Sequence, residues 1–147
     1  FWTSYPDCTA GSYMMGGQSG WSAVSSVTRK ENFRVIDGEE LLAKIRGLLI
    51  AEWNYKGTDP NIKYIGPVAE EFWAAFHLNG DDDQGINSVS IDGVNMAGVQ
   101  ALEQRTGAMR EQVAALKTRI AAQDAEIGAL KARLAQLERL LEERFHR

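Results

Sequence analysis

The sequence of 147 residues predicts an α+β fold, a small globular α/β body followed by a long C-terminal helix built for a parallel coiled coil. Three observations carry this. From Met109 the apolar spacing alternates four and three through Val113, Leu116, Ile120, Gln123, Ile127, Leu130, Leu134, Leu137 and Leu141, nearly five heptads. Two shorter stretches, 41–49 and 68–76, repeat apolar residues at helical spacing, and two β-prone runs flank a Gly-Thr-Asp-Pro-Asn turn at 57–61. Once the long helix is set aside, about 70 residues remain for a core, a body so small that oligomerisation commonly stabilises it.

Residues 1–21 are rich in Gly, Ser, Tyr and Trp, and Gly11, Gly16, Gly17 and Gly20 mark turns or close approaches. They are read as loops and short strands, the end of an upstream segment, because the chain opens at Phe1 and not at a methionine. Residues 22–36 are β-branched and polar and predict an extended segment. Asp37 caps a first helix, with Glu39 and Glu40 at its positive end and Leu41, Leu42, Ile45, Leu48 and Leu49 on its apolar stripe. A strand over 51–55 pairs with a second over 62–65. Pro67 suits the first turn of a second helix whose apolar face is Val68, Phe72, Ala75 and Phe76. The loop 79–83 leads to a short strand near Val89–Ile91 and an Asp92-Gly93 turn, and from about Asn95 the chain is helical to its end.

The heptads also speak to orientation. With Val113 at position a, the g residues Arg119, Glu126 and Arg133 face following e residues Asp124, Lys131 and Glu138, opposite in sign at every pair. That pattern selects a parallel, in-register homo-oligomer and leaves the strand number open. Gln123 at a d position interrupts the stripe and is suited to fixing register.

Composition excludes several classes of function. A net charge of −4 and a pI near 5.2 argue against sequence-independent nucleic-acid binding. No stretch approaches the ~20 apolar residues needed to span a bilayer, and no signal-peptide pattern opens the chain, so neither nucleic acid nor membrane is expected as a partner. Cys8 is the only cysteine, which rules out an intrachain disulfide or a cysteine-based zinc site and fits folding in a reducing cytoplasm. No metal or other cofactor is expected. Asp81, Asp82 and Asp83 lack EF-hand spacing and read as a solvated loop, and His77 (read as a helix-end residue) and His146 have no ligand set beside them. Ser22, Ser25 and Ser26 beside Gly20 do not make a phosphate loop. Trp53, Phe72 and Trp73 read as core aromatics.

The remaining candidate chemistry is Ser25 and Lys30, five residues apart. A neutral lysine amine can take the proton of a serine hydroxyl without a histidine when burial or a nearby cation favours the uncharged form. The pair sits in Ser25-Ser-Val-Thr-Arg-Lys-Glu-Asn-Phe33, followed by Trp53-Asn-Tyr-Lys-Gly57, Ile65-Gly-Pro-Val-Ala-Glu-Glu-Phe72, Asp92-Gly-Val-Asn-Met-Ala97 and the heptad helix. This order resembles the C-terminal intramolecular chaperone domain, the peptidase S74 family, of bacteriophage tailspikes, tail fibres and endosialidases, over roughly residues 20 to 147. The resemblance implies a homotrimer formed through the coiled coil that folds the upstream fibre segment of the same chain and then releases itself by cutting Val24–Ser25, with Ser25 and Lys30 as catalytic dyad. It implies residues 1–24 as the end of the passenger, 25–97 as the chaperone body and 98–147 as the coiled-coil helix. It places folding in the host cytoplasm during phage assembly and the fibre in the virion tail. Two positions depart from the family pattern: Ser26 stands where an Asp is frequent, and Tyr64 where many members carry His before Ile-Gly-Pro. Two other readings are a permanent, non-cleaving trimerisation foot of a fibre or adhesin, and an oligomerisation domain released from a membrane-bound transcription factor, as in the myelin regulatory factor. The latter requires a DNA-binding domain and a membrane span, and neither lies in these 147 residues.

Overall fold

The computed structural model describes residues 11–14, 17 and 19–145. The readings made at Cys8, Gly16 and His146 lie outside the described residues. The chain divides into two compact units, Phe1–Ala101 and Leu102–Arg147.

In the first unit β1 (Ser12–Tyr13) pairs antiparallel with β2 (Ser22–Ala23), Ser12 opposite Ala23 and Tyr13 opposite Ser22. β3 (Ala51–Trp53) pairs antiparallel with β4 (Tyr64–Gly66). In this second hairpin Trp53 lies directly opposite Tyr64. Their rings stack with centroids 4.9 Å apart, and Tyr55 packs edge-on against both. Such cross-strand aromatic pairs stabilise a short hairpin that has few backbone bonds of its own. Its turn is closed by Asp59, whose carboxylate accepts from the backbone and side-chain amides of Asn61.

α1 (Gly38–Gly47) begins as expected: the Asp37 carboxylate accepts from the amides of Glu39 and Glu40 at 2.9 and 3.0 Å. The helix ends before Leu49, which leaves the expected stripe and is exposed; its backbone N–H donates to the Glu71 carboxylate at 3.2 Å. α2 (Ala69–Phe76) starts two residues beyond Pro67, so the proline precedes the helix and does not form its first turn. Val68 takes an extended conformation at the cap and stays half exposed, while Phe72 is buried against Phe76. His77 ends the helix in the left-handed region (φ 49°), its amide donating to Trp73 O. Trp73 packs on the His77 ring and donates its indole N–H to Gly80 O at 2.7 Å.

α3 (Ser88–Phe145) corrects the strand expected at Val89–Ile91, the turn at Asp92-Gly93 and the helix start near Asn95. Asn87 initiates it, its side chain accepting from Val89 N at 2.9 Å and its carbonyl from Ser90 and Ile91. From there Ile91, Val94, Ala97, Gly98 and Ala101 recur at helical spacing on the inward face. Leu41, Phe72 and Val94 form the core, with Ile45, Leu48, Phe76, Leu78, Ile86, Ile91 and Ala97 packed around them. Two glycines bring α1 and α3 close. A Cβ on Gly38 would lie 2.7 Å from the Ala101 methyl, and one on Gly98 3.0 Å from Ile45 Cδ1.

The second unit is the helix from Leu102 onward, and its described part runs about 65 Å at 1.5 Å per residue. Within it the stripe from Met109 to Leu141 remains 48–58% exposed at every apolar a and d position. A lone helix has nothing against which to bury such a stripe. No helix among the described residues is long and apolar enough to cross a membrane.

The close approach of α1 to α3 is testable. Gly38→Ala should lower stability by about 1–3 kcal/mol through overpacking against the Ala101 methyl. Adding Ala101→Gly should make the double variant less destabilised than the sum of the two single changes. Urea unfolding midpoints of the four chains measure this, and strict additivity would show that the two positions do not touch.

Candidate active site

The residues around Ser25 form a seam between two local structures. The β1–β2 hairpin gains one further rung where Val24 N–H donates to Gly11 O at 2.9 Å, and pairing stops there. Ser26 is then extended (φ −67°, ψ 142°) and caps a 3-10 turn, Val27–Arg29. Its hydroxyl accepts from Thr28 N at 3.3 Å and shares a hydrogen bond with Thr28 Oγ1 at 2.9 Å. Arg29 N–H donates to Ser26 O at 3.0 Å, and Lys30 N–H to Val27 O at 3.4 Å. Lys30 returns to extended backbone, so the segment expected to be extended over 22–36 is interrupted at its centre.

The turn brings the pair together. Five residues of extended chain would span about 17 Å. The tighter rise of the turn, about 2.0 Å per residue, draws residues 25 and 30 close enough for side-chain contact. Lys30 Nζ donates to Ser25 Oγ at 2.7 Å. If the amine is neutral, the same contact runs in reverse, with the hydroxyl donating to nitrogen, which is the geometry a general base requires. Both residues are exposed to solvent in the single chain.

The other candidates lie elsewhere in the fold. Tyr64 is engaged in the Trp53 stack on the second hairpin, and no hydrogen bond or ring contact joins it to Ser25 or Lys30 among the described residues. The Asp81–Asp83 loop is organised by Asp82, which accepts from Asn79 Nδ2 and Gln84 N. No group of three or more His, Cys, Asp or Glu positioned to hold a metal occurs among the described residues. Sequence reading missed Ser26 and Thr28 as the residues that shape the turn. The signal was present as Ser-x-Thr, a pairing in which hydroxyls bond to nearby backbone.

Residues 25–81 match the model of the peptidase S74 family, described as the chaperone of endosialidase, and the match begins at Ser25 itself. These residues are similar to a peptidase S74 chaperone domain. No curated protein and no solved structure matches the chain. Within the chain the S74 match opens at the capped turn and covers α1, the second hairpin and α2. Its start coincides with the end of the β1–β2 hairpin, both strands of which lie upstream of Ser25.

Proposed function

We propose that this chain is a trimeric intramolecular chaperone that holds three copies of an upstream fibre or tailspike segment in register and then releases itself by cutting Val24–Ser25. The observation that carries the reading is the 2.7 Å contact between Lys30 Nζ and Ser25 Oγ at the residue where the family match begins. The family's description supports the chaperone role. The unpartnered apolar stripe of α3, with complementary charges at g and e, supports parallel assembly. Joining three chains in register lowers the entropic cost of the non-local strand pairing that makes β-rich fibres fold slowly.

The 2.7 Å contact supports the following reaction. The neutral Lys30 amine takes the proton from Ser25 Oγ, and the oxygen attacks the carbonyl carbon of Val24. As the Val24–Ser25 C–N bond breaks, the Lys30 ammonium returns the proton to the departing Ser25 nitrogen and leaves an ester between Val24 and the Ser25 oxygen. Water then adds to the ester, freeing the Val24 carboxylate and restoring the hydroxyl. Nucleophile and carbonyl belong to adjacent residues, so proximity supplies much of the rate. Each chain reacts once.

Assembly acts as the trigger in this reading. Water stabilises an ammonium, and only where a neighbouring surface excludes water does the neutral amine become favoured. Ser25 and Lys30 are open to solvent in one chain, and Val27, Phe33, Val35 and Ile36, near them in sequence, are exposed apolar side chains suited to contact with a second copy. Cutting before assembly would free the passenger unfolded.

Expression of the wild-type chain should yield a 123-residue product (147 − 24) by mass spectrometry. Ser25→Ala and Lys30→Ala should each leave only the full-length chain, and a Ser25→Ala chain still cut before residue 25 would eliminate the proposed nucleophile. Wild type that assembles but stays whole would favour the permanent trimerisation foot.

The pair Leu130→Asp and Leu137→Asp should abolish assembly by placing charges in the α3 stripe. This double variant should cut no faster than Lys30→Ala, although both changes lie over a hundred residues from the bond. Undiminished cutting in a verified monomer would show that one chain forms the competent site alone.

A further inference from the structure

We infer that Ser26 is a positioning residue for the cut, its hydroxyl holding the 3-10 turn that delivers Lys30 to Ser25. This rests on the autoproteolytic reading above and extends it to a side chain that does not touch the reacting atoms.

The turn Val27–Arg29 has little else to hold it. It is three residues long, none of them is buried, and Val27 is 73% exposed. Of its two closing backbone bonds, Arg29 N–H to Ser26 O is 3.0 Å and Lys30 N–H to Val27 O is stretched to 3.4 Å. The Ser26 side chain adds two further ties, to the amide and to the hydroxyl of Thr28. A short helical turn with no packing face depends on its cap more than a core helix does. Should the turn relax to extended chain, residues 25 and 30 would move apart and the 2.7 Å contact would be lost. Ser26 thus acts on the fraction of chains in which the dyad is formed, and Thr28 is its partner in doing so.

The chemistry of the cap sets the test. Any side chain that accepts from Thr28 N–H should serve, and asparagine is a neutral one of comparable strength. The initial rate of Val24–Ser25 cleavage is measured by mass spectrometry on assembled full-length protein from pH 6 to 9 for wild type, Ser26→Ala, Ser26→Asn and Thr28→Val. Ser26→Ala should cut about fivefold more slowly, the factor that a cap of ordinary strength represents. Ser26→Asn should restore most of the rate, and Thr28→Val, which keeps the amide, should fall between. Rescue by Ser26→Asn separates capping from any other effect of losing the serine hydroxyl. The oligomer mass and melting temperature should also be unchanged. Ser26→Ala cutting at the wild-type rate would overturn the positioning role and leave the Ser25–Lys30 reading intact. A slow Ser26→Asn would overturn capping as the means. Wild type that is never cut would overturn both.

Discussion

Interior volume is the constraint on which this chain's architecture depends. Among the described residues only four apolar side chains are buried, Leu41, Phe72, Val94 and Ala101. Against them stand Phe33, Val35, Ile36, Leu49, Ile50 and Ile65, all more than half exposed in the first unit, and nine apolar a and d positions along the second. Burying the exposed half of a large aliphatic side chain contributes about 1 kcal/mol, so the α3 stripe holds on the order of 10 kcal/mol per chain that the monomer leaves unused. A single helix cap or aromatic pair is worth about a tenth of that. Association through α3 is therefore the largest stabilising contribution open to the molecule, and the closely packed α1–α3 contact at Gly38 and Ala101 lies in the turns of α3 just ahead of that stripe.

The candidate site obeys the same economy. It contains no buried residue and needs none in the single chain: a hairpin that ends at Val24, a capped turn and one lysine are enough to set a 2.7 Å contact. Hydrogen bonds within a few residues supply the geometry, and in the proposed mechanism water exclusion is left to assembly. Under that proposal, a segment with no packing of its own would act only after assembly. The proposed cut at Val24–Ser25 would also leave both strands of the β1–β2 hairpin on one product and the S74 match on the other.

Much of this was legible in the sequence where one local rule dominates. Asp37 followed by Glu39 and Glu40 announced a cap, and the cap is there. The turn at 57–61 fixed the second hairpin, although pairing stops at Trp53 and Tyr64 because Tyr55 O and Ile62 N–H are engaged within the turn. The spacing of Ser25 and Lys30 identified the pair that the fold brings into contact. The start of α3 was misread for a physical reason: Val89-Ser-Ile91 alternates like a strand, and only the cap at Asn87 and the tertiary packing of Ile91 and Val94 decide for helix. Pro67 and Leu49 were displaced by one or two residues because helix ends depend on where the neighbouring element begins, as the Leu49–Glu71 bond illustrates. The role of Ser26 was hidden because a hydroxyl that bonds within its own turn leaves no periodic mark.

On the proposed reading, three chains close a surface that one cannot. Sedimentation equilibrium on the uncut Ser25→Ala chain at micromolar concentration measures this without interference from cleavage. The predicted result is a single species at three times the 16.3 kDa chain mass, stable on dilution. A stable, folded species at 16.3 kDa would contradict it.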